Sequence, residues 1–222
     1  MTPGRWSVVV PLKPLDHAKS RLRGLPVPLR RVLVVAMARD VRDAVLTCQG
    51  VEEIVVVTRD PLWRSLLGVR RLRFVADSPT DSLNDALRRG AATCRTTRPG
   101  HGVAALTADL PALRPTELGL ALGQADGAST FFVPDAHGDG TTLFAARSHA
   151  QFWPHYGVGS RARHIEAGAL EVHRPELAGI RQDVDTVEDL ERARALGLGH
   201  HTGAVMATIL GLNPYPPSRA AQ

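Results

Sequence analysis

Lysine is almost missing from this chain of 222 residues. Of 27 Lys and Arg residues, 25 are arginine, and the two lysines, Lys13 and Lys19, lie within seven positions of each other. Cysteine is nearly as scarce. Cys48 and Cys94 are far apart and form neither a CxxC pair nor a metal-ligand spacing, which excludes a disulfide framework and a zinc module and suggests two buried thiols in a reducing compartment. Aromatic residues make up only 5% of the chain, poor material for base-stacking platforms, and there is no RNP or zinc-finger pattern. The formal charge of +5 is spread along the chain, so it points to a small polyanionic substrate rather than to nucleic acid. No apolar run approaches the roughly 20 residues that span a bilayer. The N-terminal run is too short for a secretory signal, so a cytoplasmic protein without a membrane partner is expected. Neither GxxxxGK[ST], GxGxxG nor HExxH is present.

What is present alternates. "WSVVVPL" (6–12) reads as a buried strand and "PLRRVLVVAMARDVRDAVLTC" as a helix opened by Pro28. "EEIVVVTRD", "LRFVADS" and "GVAALTAD" read as further strands, separated by the helix "DSLNDALRRGAATC" with Asp81 or Ser82 at its N-cap. "STFFVPD" and "TTLFAARS" form a hairpin around "AHGDG", and "TVEDLERARALG" is the final helix. The order predicts one α/β domain over 1–198, a three-layer, Rossmann-like arrangement with a mixed, mainly parallel sheet and helices on both faces. A C-terminal tail over 199–222 is expected to be loose or to pack as an arm.

In such a sheet ligands gather beyond the carboxyl ends of the strands. Lys13 and Lys19 follow the first strand, where two ammonium groups suit a polyphosphate, although solvated surface lysines are the plain alternative. Asp109, ending "ALTAD", can hold Mg²⁺ or serve as a turn residue before Pro111. Asp183 and Asp185 are two apart, so in extended chain both face one side. The alternative for Asp185 is a cap on the final helix, with Glu188 completing a capping box. "HGDGTT" supplies a tight turn and two hydroxyls. "YGVGSRARH" places Ser160 where a helix starts, with amides that attract an anion, and Arg161, Arg163 and His164 beside it. "GHHTG" near the end is a weak metal candidate.

The ordered series "VPLKPLDHAKSRL", "DSLNDAL", "LTADLPAL", "GDGTT", "YGVGSRARH" and "DVDTVEDL" resembles the guanylyltransferase family of coenzyme F-420 biosynthesis, over about residues 6–196. That family has a nucleotidyltransferase fold related to the molybdenum-cofactor guanylyltransferases and to sugar-nucleotide glycosyltransferase domains. The resemblance implies transfer of GMP from GTP to phosphoenolpyruvate, with release of pyrophosphate. 2-Phospho-L-lactate as acceptor and a molybdopterin-type guanylyltransferase stay open, and a non-catalytic nucleotide-binding module is the distant alternative. By motif, Asp109, Asp183 and Asp185 match the family's metal-binding aspartates, with Mg²⁺ the implied cofactor. Thr141, Gly157 and Ser160 match positions that contact the phosphorylated acid. Leu12, Lys13 and Lys19 fall in the segment that meets the nucleotide phosphates, and Ser82 and Asn84 in the segment near the base. Many relatives carry glycine before Leu-Asn where this sequence has "SLNDAL". Lys13, Lys19 and Asp109 are the residues expected to act in catalysis. A homodimer and handover of the product to a downstream F-420 enzyme are left open as partner readings.

Overall fold

The computed structural model describes residues 5–17, 22, 25–68, 71–78, 82–123 and 127–210. At its centre is a seven-stranded sheet of order β3-β2-β1-β4-β6-β5-β7. The strands are β1 (Trp6–Pro11), β2 (Val51–Val57), β3 (Leu72–Val75), β4 (Gly102–Leu106), β5 (Thr130–Pro134), β6 (Thr141–Ala146) and β7 (Leu170–Glu171). Only β6 runs against the rest, antiparallel to both β4 and β5. The hairpin read from "STFFVPD" and "TTLFAARS" is therefore built into the middle of the sheet.

Strand periodicity sorts the side chains into two cores. Val8 and Val10 of β1 face α1 (Val27–Thr47), α2 (Leu62–Leu67) and α4 (Pro115–Gly123), joined by Ile54, Val56, Ala104 and Leu106. Val9, one residue out of phase, faces α3 (Leu83–Thr97), together with Val55, Val57, Val103 and Ala105. Buried on both faces, these strands read as continuous apolar runs, the signature of a covered parallel sheet. Gly90 marks where α3 comes closest: a Cβ there would lie 2.5 Å from Val9 Cγ1 and 2.8 Å from Val57 Cγ2. Cys48 and Cys94 are both buried free thiols, pushed by burial up to about 11 and about 12 respectively.

A third apolar cluster joins α1 to α7 (Val187–Leu196) and α8 (His200–Ile209) through Leu33, Met37, Leu190, Ala193 and Met206. Of the segment from 199, expected to be loose or to pack as an arm, residues 200–209 form this helix and pack on α1. The first residue of the segment is anchored as well, since Gly199 N donates to Pro111 O at 2.7 Å. Asp40 of α1, itself buried, caps α8 by accepting from His201 N and Thr202 N, each at 2.8 Å. His201 Nε2 pairs with Asp43 Oδ2 at 2.9 Å, so one of the two "GHHTG" histidines is engaged in helix docking. Residues 211–222 lie outside the described part. Among the described residues no helix is long and apolar enough to cross a membrane.

Candidate active site

Strand order reverses between β1 and β4: from β1 the chain builds outward through β2 and β3, then returns to β1's other side with β4. Open α/β sheets bind ligands in the crevice that such a reversal leaves beyond the carboxyl ends of the two neighbouring strands. Lys13 and Asp109 flank it, each a few residues past the end of its strand.

Lys13 is exposed, while its backbone is pinned because Trp63, a fully buried residue of α2, donates its indole N–H to Lys13 O at 3.0 Å. The preceding Leu12 is buried in the core and donates its N–H to Val57 O at 2.9 Å. Its side chain therefore faces away from any nucleotide, and a role at the site falls to its backbone. Lys19 lies outside the described residues, as does Asp81.

Asp109 and the Asp183–Asp185 segment are brought together although 74 residues separate them along the chain from Asp109 to Asp183 (183 − 109). Val184 N donates to Asp109 O at 3.1 Å. Val184 is fully buried while Asp183 and Asp185 are partly exposed, so the two carboxylates turn to the side opposite Val184, as their spacing predicts. The cap expected of Asp185 is supplied by the next residue. Thr186 accepts from Asp189 N at 3.2 Å, and Asp189 Oδ2 accepts from Thr186 N at 2.9 Å, completing a capping box without Glu188. Asp189 also accepts from Asp185 N, His137 Nε2 and Arg192. Burial pushes its carboxyl up, but the Thr186, His137 and Asp185 donors outweigh that and hold it below the usual carboxylate range. An ionised, buried Asp189 thus fixes the backbone that carries Asp185.

Hard carboxylate oxygens with no thiolate or imidazole among them suit Mg²⁺. Among the described residues, however, no group of three Asp, Glu, His or Cys side chains stands close enough to form a metal cage by itself. This suits the usual mode of Mg²⁺, which takes one or two carboxylates and completes its octahedron with water and substrate phosphates.

On the other side of β4, β6 begins with Thr141, and Thr107 N, past the end of β4, donates to Thr142 O at 3.0 Å. Thr141 and Ser160, the first residue of α5 (Ser160–Glu166), are both buried and in contact: Ser160 Oγ donates to Thr141 Oγ1 at 3.1 Å. Gly157 has φ 124°, which side chains rarely adopt, and a Cβ there would meet Arg163. The amides at the start of α5 were expected to be open to an anion. They are not: Gly159 N donates to Asp139 Oδ2, Arg161 N to Asp139 O, and Ser160 N to Gly157 O. Asp139, from the β5–β6 turn, supplies the negative charge from within the chain.

Ser82 and Asn84 are also committed. Ser82 caps α3 in a reciprocal box with Asp85. Asn84 meets the backbone of Tyr156 twice, donating to its O at 3.0 Å and accepting from its N at 2.8 Å. It clamps the 153–160 loop to α3. Tyr156 donates to Ala105 O at 3.2 Å, and its hydroxyl is pushed far up by burial, with the nearby charge of Asp109 adding to the effect. Asp109 and the 155–160 loop thus share one neighbourhood. His164 and Arg163 of α5 and His155 of the preceding loop complete it, and only the place of Arg163 and His164 just after Ser160 hinted at this.

The sheet order and the polar residues gathered past the ends of β1 and β4 suit a nucleotidyltransferase. A solved structure of a nucleotidyl transferase from a Methanothermobacter species has the same fold, with a TM-score of 0.55 at 21% identity, covering 86% of this chain and 96% of that one. The particular family follows from sequence. The profile of the family described as "Guanylyl transferase CofC like" matches residues 6–209, and the chain belongs to that family. It is 48% identical to the phosphoenolpyruvate guanylyltransferase of Thermomonospora curvata, covering 94% of this chain and 92% of that one. With the enzyme of the same name from Streptosporangium roseum it shares 46% identity over 95% of each chain. The match to residue 209 takes in α8, in line with its packing on α1.

Proposed function

We propose that this protein transfers GMP from GTP to phosphoenolpyruvate and releases pyrophosphate. The observation that carries this reading is the Val184–Asp109 hydrogen bond, which brings the Asp183–Asp185 segment to the end of β4, beside β1 at the point where the strand order reverses. The choice of guanine and of phosphoenolpyruvate rests on the relatives named above.

An oxygen of the acceptor's phosphate attacks the α-phosphorus of GTP, the new P–O bond forms in line, and the bond to the bridging oxygen of pyrophosphate breaks. The attacking oxygen is already ionised at neutral pH, so no general base is needed. Alignment and charge cancellation do the rest. Lys13 neutralises the triphosphate and the departing pyrophosphate. Thr141 orients the acid from the opposite side through its hydroxyl, Ser160 holds that hydroxyl in place, and Gly157 lets the backbone approach the acid. Asn84 and Asp189 act from behind, the first by locking the acceptor loop and the second by fixing the Asp185 backbone. Asp109, Asp183 or Asp185 would hold magnesium through their carboxylate oxygens, and the ion would supply positive charge to offset that of the phosphates.

The test is pyrophosphate release with Mg²⁺, each nucleoside triphosphate and each of phosphoenolpyruvate and 2-phospholactate. Release confined to GTP with phosphoenolpyruvate is expected. Release with another nucleotide, or with GTP and 2-phospholactate alone, overturns the assignment.

A further inference from the structure

His164 is wholly buried on α5, and the site described so far leaves it without a task. Its imidazole is sandwiched between Phe144 (ring centroids 4.8 Å apart) and Phe132 (5.3 Å). Both ring nitrogens are engaged. Nε2 lies 2.9 Å from the backbone nitrogen of His155, and Nδ1 lies 3.0 Å from Thr141 Oγ1.

The first contact decides the second. A backbone N–H can only donate, so Nε2 must be the bare, accepting nitrogen. The proton of a neutral imidazole then sits on Nδ1 and is donated to Thr141 Oγ1. Ser160 Oγ donates to the same atom. A hydroxyl oxygen has two lone pairs, and these two donors fill both. The hydroxyl's own hydrogen is left, and among the described residues Thr141 Oγ1 meets no third polar partner. A second proton on the ring would set Nε2–H against the His155 N–H. Burial, helped by the charges of His155 and Arg163, keeps the imidazole neutral, with its basicity lowered to about 4 although the Ser160 carbonyl pulls the other way.

We propose that His164 is a positioning residue that makes Thr141 an obligate hydrogen-bond donor, aimed at an oxyanion of the acceptor acid. It rests on the reading of Thr141 and Ser160 as the acceptor site. An unconstrained threonine hydroxyl accepts as readily as it donates. One whose lone pairs are filled recognises only an acceptor, and a carboxylate or phosphate oxygen is such a group. His164 also holds His155 through its backbone, so one ring sets both the donor and the loop that carries Gly157.

Two measurements test this. Long-range proton–nitrogen correlation NMR on the wild-type protein at neutral pH should show His164 protonated on Nδ1 alone; an Nε2–H tautomer overturns the proposal whatever the enzyme's substrates are. In steady-state kinetics, His164→Phe, which keeps the aromatic stack, should raise KM for phosphoenolpyruvate roughly tenfold, the worth of one lost hydrogen bond, and leave KM for GTP within about twofold. Thr141→Val should do the same, and the double variant no more than either alone. His164→Gln, whose amide can both donate to Thr141 and accept from His155, should recover part of the loss. An unmoved acid KM in His164→Phe, or single effects that multiply in the double variant, overturns the proposal. If no acid in the panel supports pyrophosphate release, it is the proposed function that fails, and the tautomer still judges His164 on its own.

Discussion

Acidification should weaken this fold through one residue in particular. In the unfolded chain His164 titrates near 6.5, and in the folded protein near 4. Between those values the unfolded chain holds a proton that the native protein refuses, so stability is whole above about pH 6.5 and is lost as pH falls toward 4. Each pH unit inside that window removes up to about 1.4 kcal/mol. From pH 7 to pH 5 the loss works out at about 2 kcal/mol, a large share of the stability of an ordinary domain. The ring cannot escape by rotation, since Phe132 and Phe144 cover its faces, Tyr156 and His155 stand at its edge, and Arg163 adds a like charge. Urea unfolding at pH 7, 6 and 5, followed by the fluorescence of the buried Trp6 and Trp63, measures the loss. In His164→Phe the same pH change should cost about 2 kcal/mol less than in wild type, whatever the variant's stability at pH 7. Equal pH dependence in the two proteins refutes the argument.

Three further outcomes are expected. Asp109→Ala and Asp183→Ala should each lower turnover about 100-fold or more with the fold intact by circular dichroism, and near-normal turnover at saturating Mg²⁺ and GTP would remove them from the site. Gly90→Ala should destabilise by about 1–3 kcal/mol in urea unfolding, because its methyl group has no room between Val9 and Val57. Asp40→Ala should cost about 1–2 kcal/mol and raise amide hydrogen exchange in α8 above that in β1.

The sheet was legible because burial leaves a mark on every strand. Continuous β-branched runs at 6–12 and 52–60 announced covered parallel strands, and the rule that ligands sit past their carboxyl ends selected Lys13 and Asp109. Asp183 and Asp185 were legible through the two-residue period. What escaped depended on partners remote in the chain. α8 looked like a tail because its cap, Asp40, lies 161 residues before His201. The α5 amides looked open because Asp139, 20 residues before Gly159, fills them. That Asn84 binds Tyr156, 72 residues on, shows in nothing local. The cap of α7 was missed by one residue, where Thr and Asp are nearly equal candidates and only geometry separates them. His164 was noticed and given no role, since its role depends on which nitrogen the backbone of His155 engages.

Phosphorus NMR of a reaction containing the protein, Mg²⁺, GTP and phosphoenolpyruvate addresses the central claim most directly. Two coupled diphosphate resonances of a guanosine-linked product, growing in step with pyrophosphate and absent when the acid is omitted, are the predicted result. Inorganic phosphate from simple GTP hydrolysis, or a spectrum unchanged after many equivalents of time and enzyme, would contradict it.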